Sequence, residues 1–578
     1  MKIIINEGTC GLASGAKSVR DSFAALLPSA TIKSVGCLGL CHQEVTATII
    51  DSDKTFFYGR LNAENVERVV NFHLHGGPFP ADLVDSSNYL TKQTRIALRN
   101  IGLLDPLSLE DYVSRGGYTA IKKILSKNIS PEEIIKEVKT SGLRGRGGAG
   151  FSTWQKWDFA RNAISTEKYV ICNGDEGDPG AFMDRSLLEG DPHSVLEGMM
   201  ITARAIGANH GYAYIRAEYP LAIKHFSLAI ENAKKTGLLG KNILGSDFTF
   251  EVKIKQGAGA FVCGEETAMI RSIEGDRGMP RVRPPFPAIS GLFSKPTIIN
   301  NVETLVNLPW ILTQGGTSYA SFGTGDSKGT KVFALAGAIK RGGLVEVPMG
   351  TSLREVIEVI GGGSRSSLPV KAVQLGGPSG GCVPASLLDT PITYEAITAT
   401  GAIMGSGGMI VLDEKTCMVD LARYFLEFTR LESCGKCTFC RIGTLRMKEL
   451  LDAIAEGRAC DDDLRKLEEL ANQVKITSLC GLGQTAPNPV LTTLKYFREE
   501  YLEHINNRRC PAGVCKKLIH HEIIKENCIA CNLCKKSCPV SAITGTPKEK
   551  GSYSIDSKVC INCGLCLEVC RFNAIKVN

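Results

Sequence analysis

The chain has 578 residues, 43% of them hydrophobic, and its formal net charge of +7 at pH 7 gives no indication of nucleic-acid binding. The first residues lack the basic and apolar regions of a signal peptide, and no segment approaches the roughly 18 apolar residues of a membrane span. The 22 cysteines stand in ligand-like spacings, so the sequence predicts a soluble cytoplasmic protein that binds metal clusters rather than a disulfide scaffold.

The N-terminal region opens with a short predicted strand and carries Cys37 and Cys41 in a C-x-x-x-C spacing. This spacing resembles half of a thioredoxin-like 2Fe-2S domain, whose other half is C-x-x-x-x-C. Here Cys10 is followed five positions later by Gly15, so one thiolate is missing. We therefore predict no stable 2Fe-2S cluster in this domain and expect a docking role. The alternative is that His42 supplies the missing ligand.

A glycine-rich segment at residues 142–151 formally matches the G-x-G-x-x-G pattern at Gly145, Gly147 and Gly150. A dinucleotide fingerprint needs a strand before these glycines. Residues 131–139 instead have the apolar spacing of a helix with proline and acids in its first turn, so we reject the classical dinucleotide fold. The glycines still allow backbone N–H groups to approach a phosphate or a flat ring. An ordinary flexible loop is the alternative.

Three further loops follow apolar runs. A predicted strand at residues 168–173 leads into a carboxylate-rich turn at 174–180, and similar runs precede the loops at 257–267 and 297–304. Together with the glycine-rich segment they give four loops rich in glycine, asparagine or acids. The sequence therefore predicts one cofactor cleft in an α/β domain.

A cysteine motif follows in a region of predicted helices. Cys434, Cys437 and Cys440 have C-x-x-C-x-x-C spacing, and Cys480, in a glycine-flanked loop, is the best candidate for the fourth ligand of a 4Fe-4S cluster. A zinc site is the alternative. The flanking segments with helical apolar spacing are residues 418–430 and 442–475.

A possible zinc clasp lies farther along the chain. Cys510 and Cys515 stand close to His520 and His521, and two thiols with an imidazole suit zinc. A turn with free cysteines is equally compatible with this pattern. The two remaining cysteines of the helical region are expected to be ordinary thiols: Cys417 and Cys460.

The last 51 residues hold two C-x-x-C-x-x-C-x-x-x-C runs, the spacing of bacterial ferredoxins. The fourth cysteine of each run ligates the other cluster in such domains. The predicted ligands are Cys528, Cys531, Cys534 and Cys570 for one 4Fe-4S cluster, and Cys538, Cys560, Cys563 and Cys566 for the second. Pro539 follows the first run as the pattern requires, whereas Arg571 occupies the equivalent place after the second. Zinc sites, which use two pairs of ligands, fit this arrangement poorly.

Across roughly residues 100–490 these loops and the Cys434 motif resemble the NADH-binding flavoprotein subunit of respiratory NADH:quinone oxidoreductase and its soluble relatives. The resemblance implies an FMN site that contains Gly145, Arg146, Gly147, Gly148, Lys156, Asn173, Asp175, Asn300, Asn301 and Thr304. It implies an NADH site with aromatic, acidic and neighbouring residues at Phe151, Phe159, Phe261, Phe286, Glu176, Asp178, Gly264, Glu265, Glu266 and Arg283. The residues assigned to catalysis are Glu176, Asp178 and Glu266. Alternative roles are core packing for the phenylalanines, helix capping for the asparagines and solvation for the acids and Lys156.

Two positions distinguish this chain from the respiratory form. That form typically carries glutamate at the position of Asp178 and tyrosine at that of Phe261. Soluble members associated with electron bifurcation, notably the flavoprotein subunit of multimeric iron-only hydrogenases, resemble the chain at both positions and carry the ferredoxin extension. The resemblance implies a complex whose partners are a small thioredoxin-like 2Fe-2S subunit, a catalytic subunit and ferredoxin. The catalytic subunit would be a hydrogenase, a formate dehydrogenase or an NADPH-binding flavoprotein.

The expected fold is an α/β multidomain protein. Its expected domains are residues 1–85, thioredoxin-like with an incomplete 2Fe-2S ligand set; 86–328, FMN- and NADH-binding; 329–410, a β-grasp ubiquitin-like scaffold; 411–505, a helical 4Fe-4S bundle; 506–522, a connector with the zinc clasp; and 523–578, a two-cluster ferredoxin-like domain.

The expected function is hydride exchange between NAD(H) and FMN, followed by single-electron transfer through three 4Fe-4S clusters. The alternatives are a subunit of an NAD-linked formate dehydrogenase or of a ferredoxin:NADP transhydrogenase, and an electron-relay scaffold without turnover. NADP is the alternative nucleotide, because Arg281 and Arg283 flank the loop before Phe286 and a guanidinium there suits a 2′-phosphate. The same arginines suit a pyrophosphate.

Overall fold

The computed structural model describes residues 1–84 and 89–577, so the domain boundary expected at residues 85 and 86 lies outside the described residues. The N-terminal unit contains β1 (Lys2–Asn6), α1 (Thr9–Ala13), α2 (Ala16–Leu26), β2 (Thr31–Val35), β3 (Ala47–Asp51), β4 (Lys54–Tyr58) and α3 (Val66–His75). Its sheet has the order β2-β1-β3-β4, with β1 parallel to β2 and antiparallel to β3. Alternate residues of β1, Ile3 and Ile5, share one face and pack in the same core as Phe23 of α2.

The second unit is built on a parallel sheet. Its elements are α4 (Leu109–Ser114), α5 (Thr119–Ser126), α6 (Pro131–Ser141), α7 (Thr153–Asn162), β5 (Tyr169–Gly174), α8 (Met183–Gly190), α9 (Pro192–Ile206), β6 (His210–Arg216), α10 (Pro220–Lys235), β7 (Glu251–Gly257), α11 (Glu266–Glu274), β8 (Thr297–Asn301), α12 (Val302–Gln314) and α13 (Gly316–Ala320). The strand order is β7-β6-β5-β8, and all neighbours are parallel. Consequently the carboxyl ends of the four strands meet at one edge, where the predicted polar loops begin.

The chain enters the glycine-rich segment from a helix, as predicted. Ser130 caps α6, and Glu133 completes a capping box with it. Helices α9 and α12 pack against each other and against β5, whose Val170 and Ile171 are fully buried. This arrangement explains why β5 reads as a continuous apolar run rather than an alternating one.

The third unit is a mixed sheet with its own core. It contains β9 (Gly323–Thr324), β10 (Ser327–Lys328), β11 (Thr330–Gly337), β12 (Gly343–Pro348), β13 (Val370–Leu375), β14 (Gly381–Pro384), α14 (Tyr394–Thr400) and β15 (Gly408–Asp413). The main sheet has the order β12-β11-β15-β13-β14, in which only β11 and β15 are parallel. Phe333, Val345 and Val373 belong to its core.

The remaining chain forms a helical unit followed by a small unit with two antiparallel strand pairs, β16 with β19 and β17 with β18. The helices are α15 (Met418–Leu431), α16 (Thr438–Ala455), α17 (Asp461–Thr477), α18 (Gly481–Thr485) and α19 (Asn488–Asn506). The C-terminal elements are β16 (His521–Ile523), α20 (Leu533–Lys536), β17 (Ile543–Thr544), β18 (Ser554–Ile555), α21 (Leu565–Val569) and β19 (Ile575–Val577). The segment 442–475 is split into two helices because the chain turns at Gly457, which has a φ of 68°. Within the described residues, no helix combines the length and apolar character that crossing a membrane requires.

Candidate functional site

A cleft with about 1720 Å³ of empty space, part of it open to solvent, lies at the carboxyl edge of the parallel sheet. About 680 Å³ of this space is cavity, which lies within the roughly 300–1000 Å³ of a small-molecule pocket. The predicted residues that line it are Gly147, Gly148, Asn173, Asp175, Glu176, Asp178, Phe261, Gly264, Glu265 and Asn301.

The third unit, which the sequence indicated only as scaffold, forms the opposite wall. The lining residues from this unit are Gly376, Ser379, Tyr394, Glu395, Thr398, Ile403, Met404, Gly405 and Ser406. The sequence held a signal for this wall, because the glycine-rich run at 376–381 directly follows β13. A turn of this kind at a strand end resembles the other cleft loops.

The glycine-rich segment presents its backbone to the cleft. Gly148 has a φ of 127°, and a Cβ atom built on it would lie 3.2 Å from the carbonyl carbon of Gly405. A side chain at this position would therefore be both strained and crowded. The guanidinium of Arg146 points the other way: it is buried and donates to the carbonyl oxygens of Thr330 at 3.0 Å and Lys328 at 2.6 Å. Its guanidinium therefore binds buried carbonyl groups rather than a ligand in the cleft, and only the backbone of Arg146 contributes to the glycine-rich loop.

Two predicted amide side chains lie on the cleft wall and are held in place by neighbours. Asn173 Nδ2 donates to the carbonyl oxygen of Gly264 at 3.0 Å. Asn301 Nδ2 donates to Asp184 Oδ2 at 2.6 Å, while its Oδ1 caps α12. Both amides are therefore oriented before any ligand arrives.

Several other predicted residues stand behind this wall. The indole of Trp157 donates to Asn300 Oδ1 at 3.1 Å, and the backbone N–H of Arg146 donates to Thr304 Oγ1 at 2.9 Å. Lys156 Nζ bonds to the carboxylate of Glu266 and to the carbonyl oxygen of Ile299. The hydroxyl of Tyr394 donates to the carbonyl oxygen of Gly145 at 2.8 Å. These contacts support the wall from behind.

The acidic turn after β5 supplies two buried carboxyl groups, on Asp175 and Glu176, and a half-buried one on Asp178. Both carboxylate oxygens of Asp175 are buried without a hydrogen-bond partner among the described residues, and burial raises its pKa to about 7. Burial likewise raises the pKa of Asp178 to about 6, although Ser406 Oγ donates to it at 2.6 Å. Burial also raises the pKa of Glu176, which accepts the backbone N–H groups of Asp184 and Arg185. The cleft therefore holds groups that exchange protons near neutral pH.

The raised pKa of Asp175 predicts a pH-dependent stability change. The folded chain holds this proton more tightly than the unfolded chain, so the contribution to the free energy of unfolding is greatest below the ordinary pKa of 3.8 and falls as pH rises through about 7. Asp175→Asn is therefore expected to raise the melting temperature of the flavin-free chain more at pH 8 than at pH 5, by about 1–3 °C. Asp247→Asn, at an exposed carboxylate, is the control. Equal changes at the two pH values would contradict the assignment.

The predicted aromatic residues separate into two groups. Phe261 lines the cleft and makes an edge contact with Phe428, with ring centroids 5.5 Å apart. Phe151, Phe159 and Phe286 do not line it and are 53%, 51% and 56% exposed. The resemblance implied four phenylalanine rings around the NADH site, but among the described residues Phe261 is the one of these four that lines the cleft.

The loop before Phe286 distinguishes two arginines. The guanidinium of Arg281 pairs with the carboxylate of Glu274, whereas that of Arg283 lies 5.8 Å from the centroid of the Phe286 ring. Arg281 is therefore already neutralised by a partner, and Arg283 is the better placed of the two to meet an incoming anion.

The Cys434 motif packs directly behind the cleft. Cys440 and Cys480 are buried in the same apolar cluster as Val262 and Leu482, and Cys434 and Cys437 pack against that cluster. Val262 and Leu482 also line the cleft. Cys437 and Cys480 are the N-cap residues of α16 and α18.

The C-terminal unit contains two small voids lined by cysteines. One is lined by Cys528, Cys531, Cys534 and Cys570, and the other by Cys538, Cys560, Cys563 and Cys566. The fourth cysteine of each run thus faces the void of the other run. The two sets are adjacent, because Cys534 lies near Cys566.

A further cysteine and histidine group lies between the helices and the C-terminal unit. Among the described residues, the ligand atoms of Cys417, His504, Cys510 and Cys515 form the one such group whose members all lie within 4.8 Å of one another. The Sγ atoms of Cys417 and Cys515 are 3.7 Å apart, and His504 Nε2 is 3.4 Å from each of them.

This group corrects one expectation, because the histidine beside the Cys510 pair is His504 rather than His520 or His521. Cys417, expected to be a core or surface thiol, is buried and also belongs to the group. His520 is exposed, and His521 Nδ1 lies 3.2 Å from Asn562 Oδ1 within the C-terminal unit. Cys460 is exposed and bonds to Asp463. The large sequence separation of Cys417 from the other members hid the group, since only packing of α15 against α19 unites them.

Three family models match the chain: the Nuo51 FMN-binding domain at residues 138–310, the NADH-ubiquinone oxidoreductase-F iron-sulfur binding region at 420–504 and the 4Fe-4S dicluster domain at 527–574. These ranges contain the glycine loop, the Cys434 motif and the paired cysteine runs. The multidomain α/β organisation, the FMN-binding domain and the 4Fe-4S regions predicted from the sequence are thereby confirmed.

Individual proteins that are similar to this chain belong to the same group as the family models. The chain is 55% identical to the NADP-reducing hydrogenase subunit HndC of Solidesulfovibrio fructosivorans, over 79% of this chain and 93% of that protein. It is 46% identical to an F-type subunit of NADH-quinone oxidoreductase in Rhizobium meliloti, over 72% and 99% respectively. A crystal structure of an NAD+-reducing [NiFe]-hydrogenase in the H2-reduced state matches with a TM-score of 0.64 and 31% identity, over 87% of this chain and 84% of that chain. The chain therefore belongs to the family of FMN-binding, iron–sulfur flavoprotein oxidoreductase subunits typified by the F-type subunits of NADH-quinone oxidoreductase.

Proposed function

We propose that this chain is the NAD(H)-linked electron-entry subunit of a hydrogenase-type complex. The observation that carries the proposal is the shared wall formed by Val262 and Leu482. These residues line the cleft on one side and belong to the apolar cluster of Cys440 and Cys480 on the other. Such a wall puts a flavin in the cleft and a cluster behind it within short reach of each other.

The residues present fit FMN. Gly148 offers a cradle that a Cβ atom would fill, and the oriented amides of Asn173 and Asn301 suit the polar edge of a flat ring. Bound FMN supplies the conversion between a two-electron hydride and single electrons. Asp175 lines the cleft, and its buried carboxyl group, without a hydrogen-bond partner among the described residues, can hold or release a proton near pH 7. Phe261 supplies apolar surface for the nicotinamide ring.

Anaerobic stopped-flow measurements test this function. FMN-loaded protein mixed with NADH is expected to lose its flavin absorbance first and the broad absorbance of its clusters afterwards. Asp175→Asn is expected to slow the first phase and shift its pH profile without loss of bound FMN. Loaded protein whose flavin NADH cannot reduce would instead indicate an electron-relay scaffold.

The ligand assignments predicted above are part of this proposal. Among the described residues, no three thiols of the Cys434 motif have sulfur atoms that all lie within 4.8 Å of one another. Zinc with 2.3 Å bonds would bring its sulfur ligands to about 3.8 Å, so this wider spacing supports a 4Fe-4S cluster. The two cysteine-lined voids support the crossed ligand sets of the C-terminal unit. Three 4Fe-4S clusters would then form the path away from FMN.

The finer organisation is also proposed. The sheet orders of the first and third units are compatible with the thioredoxin-like and β-grasp assignments. We place the chain in a cytoplasmic complex with a 2Fe-2S subunit, a hydrogenase subunit and ferredoxin, and a relative named as a hydrogenase subunit supports the hydrogenase partner. Electron bifurcation at the flavin is the mode of action we infer from the ferredoxin-like extension. Formate dehydrogenase and transhydrogenase complexes are the alternatives.

NADP is the second candidate nucleotide, and Arg283 favours it. Its guanidinium stacks near Phe286 without the carboxylate partner that Arg281 has, so it is available to a 2′-phosphate. If NADPH is the substrate, Arg283→Ala is expected to weaken NADPH-dependent flavin reduction by about tenfold to a hundredfold and to leave NADH-dependent reduction within about twofold. Arg281→Ala is the matched control. Equal losses with both nucleotides would assign Arg283 to the pyrophosphate instead.

We also propose zinc for the group of Cys417, His504, Cys510 and Cys515. The sulfur separation of 3.7 Å matches tetrahedral zinc, and His504 Nδ1 is held by the carbonyl oxygen of Glu500 at 2.6 Å, as ligating histidines usually are. His504→Gln is expected to remove about one zinc ion per chain in elemental analysis. His520→Gln, at the exposed histidine, is expected to remove none. Unchanged zinc in the His504 variant contradicts the site.

A further inference from the structure

The N-terminal unit gathers three thiols that the proposed electron path does not use. Cys41 lies between Cys10 and Cys37 and hydrogen-bonds with both. Cys37 is buried and accepts the backbone N–H of Gly39 at 3.4 Å, whereas Cys10 and Cys41 are half-buried. We call Cys10, Cys37 and Cys41 the N-terminal thiol group.

The second unit supplies a positive charge to this group. Arg185 Nη2, on α8, donates to Cys10 Sγ at 3.4 Å. The loop that carries Cys10 is anchored to the same helix, because the backbone N–H of Thr9 donates to Glu189 Oε2 at 2.9 Å and its hydroxyl donates to Glu189 Oε1 at 2.5 Å. The guanidinium is therefore held in a fixed position beside the thiol.

The two half-buried thiols are unequal. The hydrogen bond from Cys41 lowers the pKa of Cys10 to about 6, against the effect of burial and with help from Arg185, while the bond to Cys10 raises the pKa of Cys41. Glu189 faces Cys10 and opposes its ionisation, whereas burial, and then the charge of Cys10, raises the pKa of Glu44 to about 8, so this second acid stays protonated where Cys10 ionises. Because the Arg185 guanidinium contacts Cys10 Sγ, the thiolate of the pair is favoured at Cys10 and the proton at Cys41, the arrangement of a reactive dithiol.

We propose that Cys10 and Cys41 form a dithiol–disulfide redox site that reacts with low-molecular-weight disulfides. The Cys10 thiolate attacks one sulfur of the external disulfide, forms a mixed disulfide and expels one thiolate. The Cys41 thiol then loses its proton and attacks Cys10 Sγ, which expels the second external thiolate. Two protein thiols are oxidised to one disulfide, and one external disulfide is reduced to two thiols.

The missing fourth cysteine makes this chemistry available. Gly15 occupies the position where a fourth thiolate would stand, and a Cβ atom there would meet nothing within 4 Å among the described residues. Thiolates committed to a metal cluster are not free to exchange, whereas three thiols without a fourth ligand remain nucleophiles.

Anaerobic disulfide mapping of the full chain with its clusters tests the site. The protein is treated with oxidised glutathione, alkylated and digested, and the peptides of Cys10 and Cys41 are expected to be joined by a disulfide that dithiothreitol removes. Cys41→Ser is expected to trap glutathione on Cys10, and Cys10→Ser is expected to leave Cys41 open to alkylation. Cys460→Ser, which removes an exposed thiol elsewhere, is expected to leave the Cys10–Cys41 link intact.

The rate of the first step gives an independent readout. Arg185→Gln is expected to slow glutathionylation of Cys10 in the Cys41→Ser background by roughly threefold to tenfold at pH 6, because a lower thiolate fraction slows exchange. Three results would each overturn the proposal. They are a disulfide between Cys37 and Cys41 instead, protection of the Cys10 and Cys41 thiols by bound iron in the isolated protein, and a Cys10 that glutathione leaves unmodified.

Discussion

Cys480→Ala is expected to disconnect the flavin from the C-terminal clusters. Cys480 lies in the apolar cluster that contains the cleft residues Val262 and Leu482, so its loss removes the cluster nearest the flavin. The variant is expected to contain about four fewer iron atoms per chain. Mutation of residues that only hydrogen-bond to metal ligands lowers metal affinity or activity by about 10–100-fold. Because Cys480 is the proposed ligand itself, the rate at which NADH reduces the C-terminal clusters is expected to fall by more than about a hundredfold.

Flavin reduction itself separates this effect from misfolding. The variant is expected to retain FMN and to be bleached by NADH in stopped-flow measurements, while electron paramagnetic resonance shows oxidised C-terminal clusters. Cys460→Ala is the matched control, since Cys460 also stands at the N-terminus of a helix but is exposed and bonds only locally to Asp463. Wild-type iron content in the Cys480 variant would show that another residue supplies the fourth ligand.

Local motifs were predictable from the sequence because their chemistry requires fixed spacing. The strand before the acidic turn, the helix before the glycine loop and the C-x-x-C-x-x-C runs all depend on neighbours within a few residues. The same is true of Asp175 and Asp178, which follow directly from the end of β5. Residues of this kind lie together along one cleft in the structure.

Side-chain direction was not predictable in the same way. Arg146 stands in the glycine loop, and only the packing of the third unit reveals that carbonyl groups of residues 328 and 330 attract its guanidinium inward. The cleft wall around Gly405 and the ligand-like group around Cys417 likewise depend on contacts between distant segments. Periodicity and spacing carry no information about such contacts.

Gly148→Val is expected to abolish FMN binding. The backbone at this position has a φ of 127°, which costs a β-branched residue about 1–3 kcal/mol, and the new Cβ atom would press on the backbone of Gly405. The valine methyl groups would also occupy the cradle where the loop meets its ligand. We expect the affinity for FMN to fall by more than about a hundredfold, which corresponds to about 2.7 kcal/mol. Titration of the flavin-free protein with FMN measures this change.

Gly240→Val separates the loss of the cradle from backbone strain. Gly240 has a similar φ of 113°, but a Cβ atom built there meets nothing within 4 Å among the described residues. Both variants are therefore expected to lower the melting temperature, and only Gly148→Val is expected to lose flavin and NADH oxidation. Because the cluster ligands lie on other segments, Gly148→Val is also expected to keep its full iron content. A Gly148 variant that binds FMN with wild-type affinity would place the flavin away from this loop.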